Sequence, residues 1–181
     1  MRIIAGVARS RPIKAPKGTD TRPTLDRVRE TIFNMLQFEV RSARVLDLYA
    51  GSGALALEAV SRGAEHAYLV DMARTAGMVI KENIASLHFE DKCTYLPMTD
   101  MQALAHLKGK QFDLIFLDPP YRMDTTDVIL HMQAQGMLHE DTVLMVEYDK
   151  NEPRLPECFD CFKHRDFGDI HVRFYRCSKE G

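Results

Sequence analysis

Short apolar segments recur along the chain, and each gap between them is long enough to hold a helix. Two of these segments, FDLIFLD and VLMVEY, are almost continuously apolar, as parallel strands buried on both faces must be. The alternation of such strands with helical patterns predicts an α/β fold, a doubly wound and mostly parallel sheet. The predicted strands are residues 45–49, 67–71, 94–96, 112–118 and 142–148. The predicted helices between them include residues 54–61, 73–87 and 124–135.

The two ends of the chain depart from this alternation of strands and helices. Residues 24–38 carry apolar side chains on one helical stripe, and Thr24 stands where an N-cap residue would begin the helix. Upstream, RIIAGVARSRPI has β-branched residues around a glycine, which is typical of a small hairpin or an extended arm. Residues 158–177 form two polar and aromatic runs split by Gly168-Asp169. That pattern predicts a terminal antiparallel hairpin, which brings the expected sheet to seven strands.

Charge is divided unevenly along the chain. The formal net charge is only -2, but residues 1–30 hold eight Lys or Arg against three Asp or Glu, which gives +5 and leaves -7 on the other 151 residues. A basic segment ahead of an acidic body suggests a polyanion contact at one end, and a merely solvated basic N-terminus is the competing interpretation. We divide the chain into a basic extension, residues 1–23, and a sheet domain, residues 24–181.

Length and composition exclude several classes of protein. A chain of 181 residues, 45% of them apolar, is long enough for one domain with its own core. No apolar run approaches the ~20 residues of a membrane span, and none follows the basic N-terminus as in a signal peptide. We therefore expect a cytoplasmic protein without a membrane partner. The four cysteines are too few and too irregularly spaced for a secreted disulfide framework, so we expect reduced thiols.

The segment VLDLYAGSGALALEAVS predicts a ligand-binding turn between the first strand and its helix. Glycines at 51 and 53 let the backbone turn sharply and approach a ligand beside the helix N-terminus, although a plain tight turn would also use them. Asp71 ends the next strand 20 residues after Gly51, the spacing at which a carboxylate binds ribose hydroxyls. Asp100, after the third strand, could accept from an adenine amine. These features favour an adenosine-containing ligand.

Two residues of this segment indicate which adenosine compound it would take. Ala56 stands where the dinucleotide motif has its third glycine, which disfavours a pyrophosphate such as that of NAD or FAD. Asp47, four residues before Gly51, would repel phosphate and attract a cation. S-adenosylmethionine carries an ammonium and a sulfonium, so it fits this pattern better than a phosphorylated nucleotide.

The most specific motif is Asp118-Pro119-Pro120-Tyr121, at the end of the fourth strand. Two prolines remove two amide donors, which leaves a rim of carbonyl oxygens and the Asp118 carboxylate. Such an acceptor-rich rim suits an NH2 group, and the Tyr121 ring offers a face on which a base can stack. A delocalised base amine is a poor nucleophile, and these acceptors would orient it and stabilise its growing positive charge. A strand-terminating turn with a surface tyrosine is the competing interpretation.

The chain resembles a known family in these segments. DLYAGSGALALEAVSRGA, residues 47–64, and LDPPY, residues 117–121, resemble class I S-adenosylmethionine-dependent methyltransferases that methylate amines. RIIAG, residues 2–6, and RPTLDRVRETIFN, residues 22–34, narrow the resemblance to the RsmD-type family, bacterial 16S rRNA guanine-N2 methyltransferases. The resemblance covers nearly the whole chain. It implies methyl transfer from S-adenosylmethionine to a guanine of the small-subunit rRNA.

The resemblance also implies roles for individual residues. Residues that would hold the cofactor are Asp47, Gly51, Ser52, Gly53, Asp71 and Asp100. The target-base pocket would consist of Asp118, Pro119 and Tyr121. RNA phosphates would be met by Arg9, Arg11, Arg22 and Arg29, so the extension would contact RNA. Relatives usually have Glu at the position of Asp71, Gly at that of Ala56 and Phe at that of Tyr49.

The implied partner is 16S rRNA or the small ribosomal subunit, and a protein can grasp the guanine amine only when the base is splayed out of its stack. The oligomeric state is open, with a monomer favoured. Two other functions remain. An N6-adenine DNA methyltransferase also uses a DPPY turn, but commonly needs a recognition domain for which 181 residues leave no room. A catalytically idle RNA-binding module would be expected to have lost the acceptor rim, which is intact.

Two further features carry less weight. Two cysteines and neighbouring histidines near the C-terminus suggest a zinc site, but alternating hairpin faces would scatter the ligands, so we expect no metal. The residues concerned are Cys158, Cys161, His164, His171 and Cys177. Glu147 follows the fifth strand near the DPPY edge, and we interpret it as a solvated strand end.

Overall fold

The computed structural model describes residues 1–17, 23–120 and 123–178. The helices are α1 (Pro23–Met35), α2 (Ala54–Ser61), α3 (Arg74–Leu87), α4 (Asp100–His106) and α5 (Thr126–Ala134). The strands are β1 (Arg44–Asp47), β2 (His66–Val70), β3 (Cys93–Leu96), β4 (Phe112–Leu117), β5 (Leu138–Tyr148), β6 (Phe159–Phe167) and β7 (Ile170–Cys177).

All of these strands belong to one seven-stranded sheet with the order β3-β2-β1-β4-β5-β7-β6. Strands β1 to β5 pair in parallel, whereas β7 runs antiparallel to both β5 and β6. The predicted α/β fold with a terminal antiparallel hairpin is therefore confirmed. Strand order reverses between β1 and β4, and in open α/β sheets the crevice at such a reversal is where ligands bind.

Strand β4 shows why the sheet is covered on both faces. Leu114 and Phe116 point to the side of α1, α2 and α3, while Ile115 and Leu117 point to the side of α4 and α5. All four side chains are fully buried. Since successive residues of a strand alternate between faces, a strand with helices on both sides must be apolar throughout. The continuous FDLIFLD segment meets that requirement.

Helix boundaries agree closely with the sequence pattern except at two places. Helix α1 begins at Pro23, so Thr24 lies in its first turn and the prediction that Thr24 is the N-cap is wrong. Proline is tolerated there because the first helical N–H groups have no intrahelical partner. The short helix α4 was not predicted. Its signal was a capping box, in which Thr99 and Gln102 each bond the other's backbone N–H.

The N-terminal segment, residues 1–17, folds back on itself and packs against α2 and α3; we call it the arm. An antiparallel bridge joins Arg2 to Pro12. Ile3, Ala8 and Ile13 are buried within the same hydrophobic cluster as α1, α2 and α3. The arm is therefore packed into the core of the domain along its length. No helix in the part of the chain described is long and apolar enough to cross a membrane.

Candidate active site

Carboxylates follow one another along the carboxyl edge of the parallel strands. Each of them lies within four residues of the carboxyl end of one of the strands β1 to β5, so the sheet brings to a single edge residues that are up to 100 positions apart in the chain. These residues are Asp47, Asp71, Asp100, Asp118 and Glu147. The edge includes the β1–β4 reversal, where a ligand crevice is expected.

The glycine turn after β1 has the backbone geometry that the sequence predicted. Gly51 and Gly53 have φ angles of 57° and 80°, in the left-handed region that favours glycine. A Cβ on Gly53 would lie 2.9 Å from a methyl group of Leu69, whereas one on Gly51 would meet nothing within 4 Å. Gly53 is therefore needed for packing against β2. Gly51 faces open space, so its backbone is accessible to a ligand.

Asp71 fixes this turn to the start of α3. Its Oδ2 accepts a hydrogen bond from the Gly51 N–H at 3.0 Å, and its Oδ1 accepts one from the Ala73 N–H at 2.9 Å. A carboxylate has about four lone-pair sites, so two remain for ribose hydroxyls. The ribose contact remains a prediction. The two backbone bonds hold the Asp71 carboxylate against the turn.

Asp47 is almost completely buried at the end of β1. Its Oδ2 accepts a hydrogen bond from the Ala56 N–H in the first turn of α2 at 3.3 Å, while Oδ1 has no hydrogen-bond partner. Burial raises the pKa of Asp47 to about 8, with a further contribution from Asp118. A buried acceptor without a donor is costly. A cationic ligand at the turn would give Oδ1 a hydrogen-bond donor and would place a positive charge beside the carboxylate. The site therefore fits the ammonium of S-adenosylmethionine.

Asp100 is held by a residue whose function the sequence left open. The Tyr49 hydroxyl donates a hydrogen bond to Asp100 Oδ2 at 2.9 Å, and the Met101 N–H donates to Oδ1 at 2.7 Å. Burial and this hydrogen bond raise the pKa of the Tyr49 hydroxyl above its ordinary value. The Tyr49 hydroxyl therefore orients the Asp100 carboxylate.

Two exposed methionines flank the predicted adenosine site. Met72 follows Asp71 and is 70% exposed, and Met101 follows Asp100 and is 47% exposed. Exposed thioethers beside two acidic residues provide apolar surface for a planar ring.

Asp118 lies just beyond β4, on the other side of the strand-order reversal from Asp47. Its side chain is open to solvent, yet the surrounding protein raises the pKa of Asp118 to about 6. Pro119 and Pro120 follow it and contribute no N–H, so hydrogen-bond acceptors dominate this rim. Tyr121, which was predicted to stack on the base, lies outside the described residues.

Glu147 is the residue of this edge that sequence reasoning undervalued. In the parallel pairing of β4 with β5, Leu117 lies beside Val146, so Asp118 and Glu147 are neighbours at the strand ends. Burial, and then the Asp118 charge, raise the pKa of Glu147 to about 8. The interpretation of Glu147 as a solvated strand end is wrong. The signal that could have indicated this pair was an acidic residue at the carboxyl end of each of two parallel strands, Asp118 just after β4 and Glu147 one residue before the end of β5.

The four arginines predicted to meet RNA differ in their surroundings. Arg9 is exposed at the tip of the arm. Arg11 is partly exposed and its Nη2 donates a hydrogen bond to the Ser86 carbonyl, which ties the arm to α3. Arg22 lies outside the described residues. Arg9 and Arg11 are thus on the surface of a docked segment, where a polyanion could reach them.

The prediction that Arg29 meets RNA phosphates is wrong. Its side chain is only 5% exposed, within α1. Nη2 donates hydrogen bonds to the Arg2 carbonyl and to Asp26 Oδ1, and Nε lies 3.8 Å from Glu58 Oε2. Desolvation lowers the pKa of Arg29, while Glu58 and Asp26 oppose that change. Arg29 therefore fastens α1 to the arm, a function that its charge alone could not reveal.

The C-terminal hairpin does not gather its cysteines and histidines into a metal site. The Nε2 of Gln133 donates to Sγ of both Cys158 and Cys177, whereas Cys161 contacts the Lys163 carbonyl instead. Within residues 1–17, 23–120 and 123–178, no three His, Cys, Asp or Glu side chains are grouped to hold a metal ion.

Comparisons with known proteins agree with this geometry. The chain matches the family model described as "Conserved hypothetical protein 95" over residues 1–176. It is 40% identical to the putative rRNA methyltransferase YlbH of Bacillus subtilis, covering 87% of this chain and 86% of that protein. It is 33% identical to the ribosomal RNA small subunit methyltransferase D of Escherichia coli, covering 100% and 92%.

A solved structure resembles the whole domain, including the arm. The putative methyltransferase yhhF from Escherichia coli is 35% identical, with a TM-score of 0.87 and coverage of 98% of both chains. The matched region includes the glycine turn, the carboxylates of the strand ends and residues 1–17, since nearly the full length is covered. The chain therefore belongs to the family described as conserved hypothetical protein 95, which is the RsmD-type family of S-adenosylmethionine-dependent methyltransferases.

Proposed function

We propose that this protein transfers a methyl group from S-adenosylmethionine to the exocyclic N2 amine of a guanine in 16S rRNA. The observation that carries the proposal is the proximity of two chemically different groups of residues at the carboxyl edge of the sheet. The glycine turn with buried Asp47 suits a cationic cofactor, and the Asp118-Pro119-Pro120 rim, across the β1–β4 reversal, suits an amine. The names of two relatives support the choice of RNA, since one is described as a putative rRNA methyltransferase and the other as a ribosomal RNA small subunit methyltransferase.

On the cofactor side, each end of S-adenosylmethionine has a matching group. Asp47 and the turn at Gly51 to Gly53 would hold the methionine end, Asp71 the ribose and Asp100 the adenine amine. When bound, S-adenosylmethionine supplies a methyl group on a positively charged sulfur. The negative charge of the surrounding carboxylates would attract this cation and leave the neutral product more weakly held.

On the acceptor side, Asp118 and the Pro119 carbonyl would accept hydrogen bonds from the guanine amine and aim its lone pair at the methyl carbon. The amine nitrogen would gain a positive charge as it accepts the methyl group, and its proton would then pass to water, which reaches the exposed Asp118 rim. Asp118, with a pKa of about 6, is largely ionised at neutral pH and can stabilise the developing positive charge. Glu147, with a pKa of about 8, is largely protonated there.

RNA would be held mainly through the arm, as the expectation of an RNA-contacting extension at residues 1–23 implies. Arg2, Arg9, Lys14 and Lys17 are exposed on this segment. Contacts from such side chains to phosphates add affinity without selecting a sequence. We propose that the arm orients the RNA while the Asp118 rim selects the amine, with the target base turned out of its stack.

The experiment is a label-transfer comparison among acceptors. Purified protein is incubated with S-adenosylmethionine labelled in its methyl group and, separately, with unmethylated small ribosomal subunits, their naked 16S rRNA and duplex DNA. Asp118→Asn serves as the matched control for trace contaminating activity. Transfer to subunits or 16S rRNA that depends on Asp118 supports the proposal. Transfer to duplex DNA would indicate an adenine methyltransferase, and no transfer to any acceptor would indicate a binding module.

A further inference from the structure

A single buried amide connects the glycine turn to the arm. Asn83, in α3, is 1% exposed and lies between the two segments. Its Nδ2 donates hydrogen bonds to the Ser52 carbonyl in the turn and to the Lys14 carbonyl in the arm, both at 2.9 Å. Its Oδ1 accepts a hydrogen bond from the Lys14 N–H at 2.8 Å. One side chain therefore contacts the backbone of both segments.

Asparagine suits this position for a chemical reason. Both amide hydrogens are used, one for each carbonyl, while the oxygen pairs with the Lys14 N–H as another strand would. Aspartate has nearly the same shape but has no hydrogens to donate, and it would bring a negative charge against two carbonyl oxygens. Alanine would leave three partly buried backbone groups without this partner, which is costly where water cannot replace it.

Neighbouring contacts between the arm and α3 do not reach the turn. Lys14 pairs with Glu82 at 3.0 Å on the exposed surface, and Arg11 donates to the Ser86 carbonyl. The turn itself is fixed on its other side by Asp71, which accepts from the Gly51 N–H. Among the contacts of the described residues, those of Asn83 join the arm directly to the turn.

We propose that Asn83 is a positioning residue that couples cofactor binding at the Gly51 to Gly53 turn with ordering of the arm. A ligand that orders the turn would hold the Ser52 carbonyl in place, and the shared amide would then hold the Lys14 backbone more firmly. Bound cofactor would thereby raise the affinity of the arm for a polyanion. By linkage, a bound polyanion would raise the affinity for the cofactor by the same factor. This inference rests on the proposed cofactor site.

The test measures hydrogen exchange of the arm with and without S-adenosylhomocysteine, the reaction product. The informative amides are those of Ile3 and Ile13, which bond the Arg11 and Met1 carbonyls and do not contact Asn83. In the wild-type protein, saturating S-adenosylhomocysteine should slow their exchange about fivefold or more. In Asn83→Ala and Asn83→Asp this ligand effect should disappear, and S-adenosylhomocysteine should bind about tenfold more weakly.

Ser86→Ala is the matched control, because that hydroxyl lies one turn along α3 and donates to the backbone carbonyl of Asn83 rather than to its side-chain amide. It should keep the wild-type ligand effect. If Asn83 were merely structural, its variants would exchange faster overall but would keep the same ratio with and without ligand, which would overturn the inference. Arm exchange in the wild type that does not respond to bound ligand would also overturn it. Failure of the wild type to bind S-adenosylhomocysteine at all would instead remove the proposed cofactor site, and with it this inference.

Discussion

At the scale of single residues, the carboxylates of the active-site edge differ because their surroundings differ. Asp47 is sealed beneath the glycine turn and has one oxygen without a partner. Asp118 is open to solvent beyond β4, and Glu147 lies beside it with its pKa raised further. At neutral pH these surroundings leave Asp118 largely ionised and Glu147 largely protonated. The two neighbours should therefore respond differently to substitution.

Replacing each of the pair by its amide separates their contributions. Asp118→Asn should lower the methyl-transfer rate by ~10² or more at pH 7, since it removes the charge that stabilises the amine in the transition state. Glu147→Gln resembles the protonated form already present, so its loss at pH 7 should be less than about tenfold. Single-turnover rates at saturating cofactor measure both effects, with cofactor affinity as the control. Equal losses in the two variants would contradict the assignment of Asp118.

Asp47 predicts an unusual dependence of stability on pH in the absence of cofactor. The folded protein keeps the Asp47 proton up to about pH 8, whereas the unfolded chain releases it near pH ~3.9. The raised pKa means that this group's contribution to stability is present at low pH and is lost as pH rises through that interval, by about 1.4 kcal/mol per unit. Asp47→Asn keeps an acceptor for the Ala56 N–H, and because its amide does not titrate, this decrease in the free energy of unfolding should be absent.

Urea unfolding at pH 5, 6.5 and 8 measures the effect. The free energy of unfolding of Asp47→Asn, relative to wild type, should increase with each step in pH. A difference that stayed constant or decreased would show that Asp47 is ionised in the folded protein.

Sequence reasoning at this scale succeeded in locating residues that follow a strand. Asp71 and Asp100 were predicted after the second and third strands, and both lie at the carboxyl edge of the sheet. The prediction for Arg29 failed, because the identity of a charged residue does not show whether its side chain is buried. The pairing of Arg29 with Glu58 depends on how α1, α2 and the arm pack. Glu147 was undervalued for a related reason, since the register between β4 and β5 is a property of the folded sheet.

At the scale of elements, α2 is the point to which the arm is fastened. Glu58 is fully buried in α2 and accepts hydrogen bonds from the Ile4 N–H at 2.8 Å and the Ala5 N–H at 3.0 Å. Arg62 Nε donates to the same carboxylate at 2.8 Å. Gly6 then passes so close to α2 that a Cβ would lie 1.8 Å from the Ser61 carbonyl oxygen. These polar contacts are made to the backbone of the arm, which explains why its apolar pattern predicted its existence but not where it docks.

Two carboxylates that contact the arm should differ in their effects on stability. Glu58→Ala removes the buried carboxylate that faces Arg29 and accepts from two backbone N–H groups, so it should lower the free energy of unfolding by about 3 kcal/mol or more. Glu82→Ala breaks only the exposed pair with Lys14, so its cost should be below about 1 kcal/mol. Chemical denaturation of both variants gives the comparison. Similar small losses would show that Glu58 does not fasten the arm.

At the scale of the whole molecule, the near-neutral net charge combines a basic arm with an acidic sheet edge. Replacing Arg9 and Arg11 together by Ala should weaken RNA binding and reduce the slope of its salt dependence, because each phosphate contact releases counterions. Titrations at several salt concentrations measure that slope. Replacing two basic residues of the sheet domain, Lys108 and Lys110, is the control and should leave it unchanged. An unaltered slope in the arginine variant would exclude these arginines from the RNA interface.

The identity of the methylated nucleoside tests the central claim most directly. Small ribosomal subunits lacking the modification are incubated with the protein and S-adenosylmethionine, and their 16S rRNA is digested to nucleosides for mass spectrometry. The proposed function predicts one new N2-methylguanosine per subunit with the wild-type protein and far less, at equal times, with Asp118→Asn. Methylation of an adenine, or of a guanine at a ring nitrogen, would contradict it, because the Asp118 rim would then not receive the exocyclic amine.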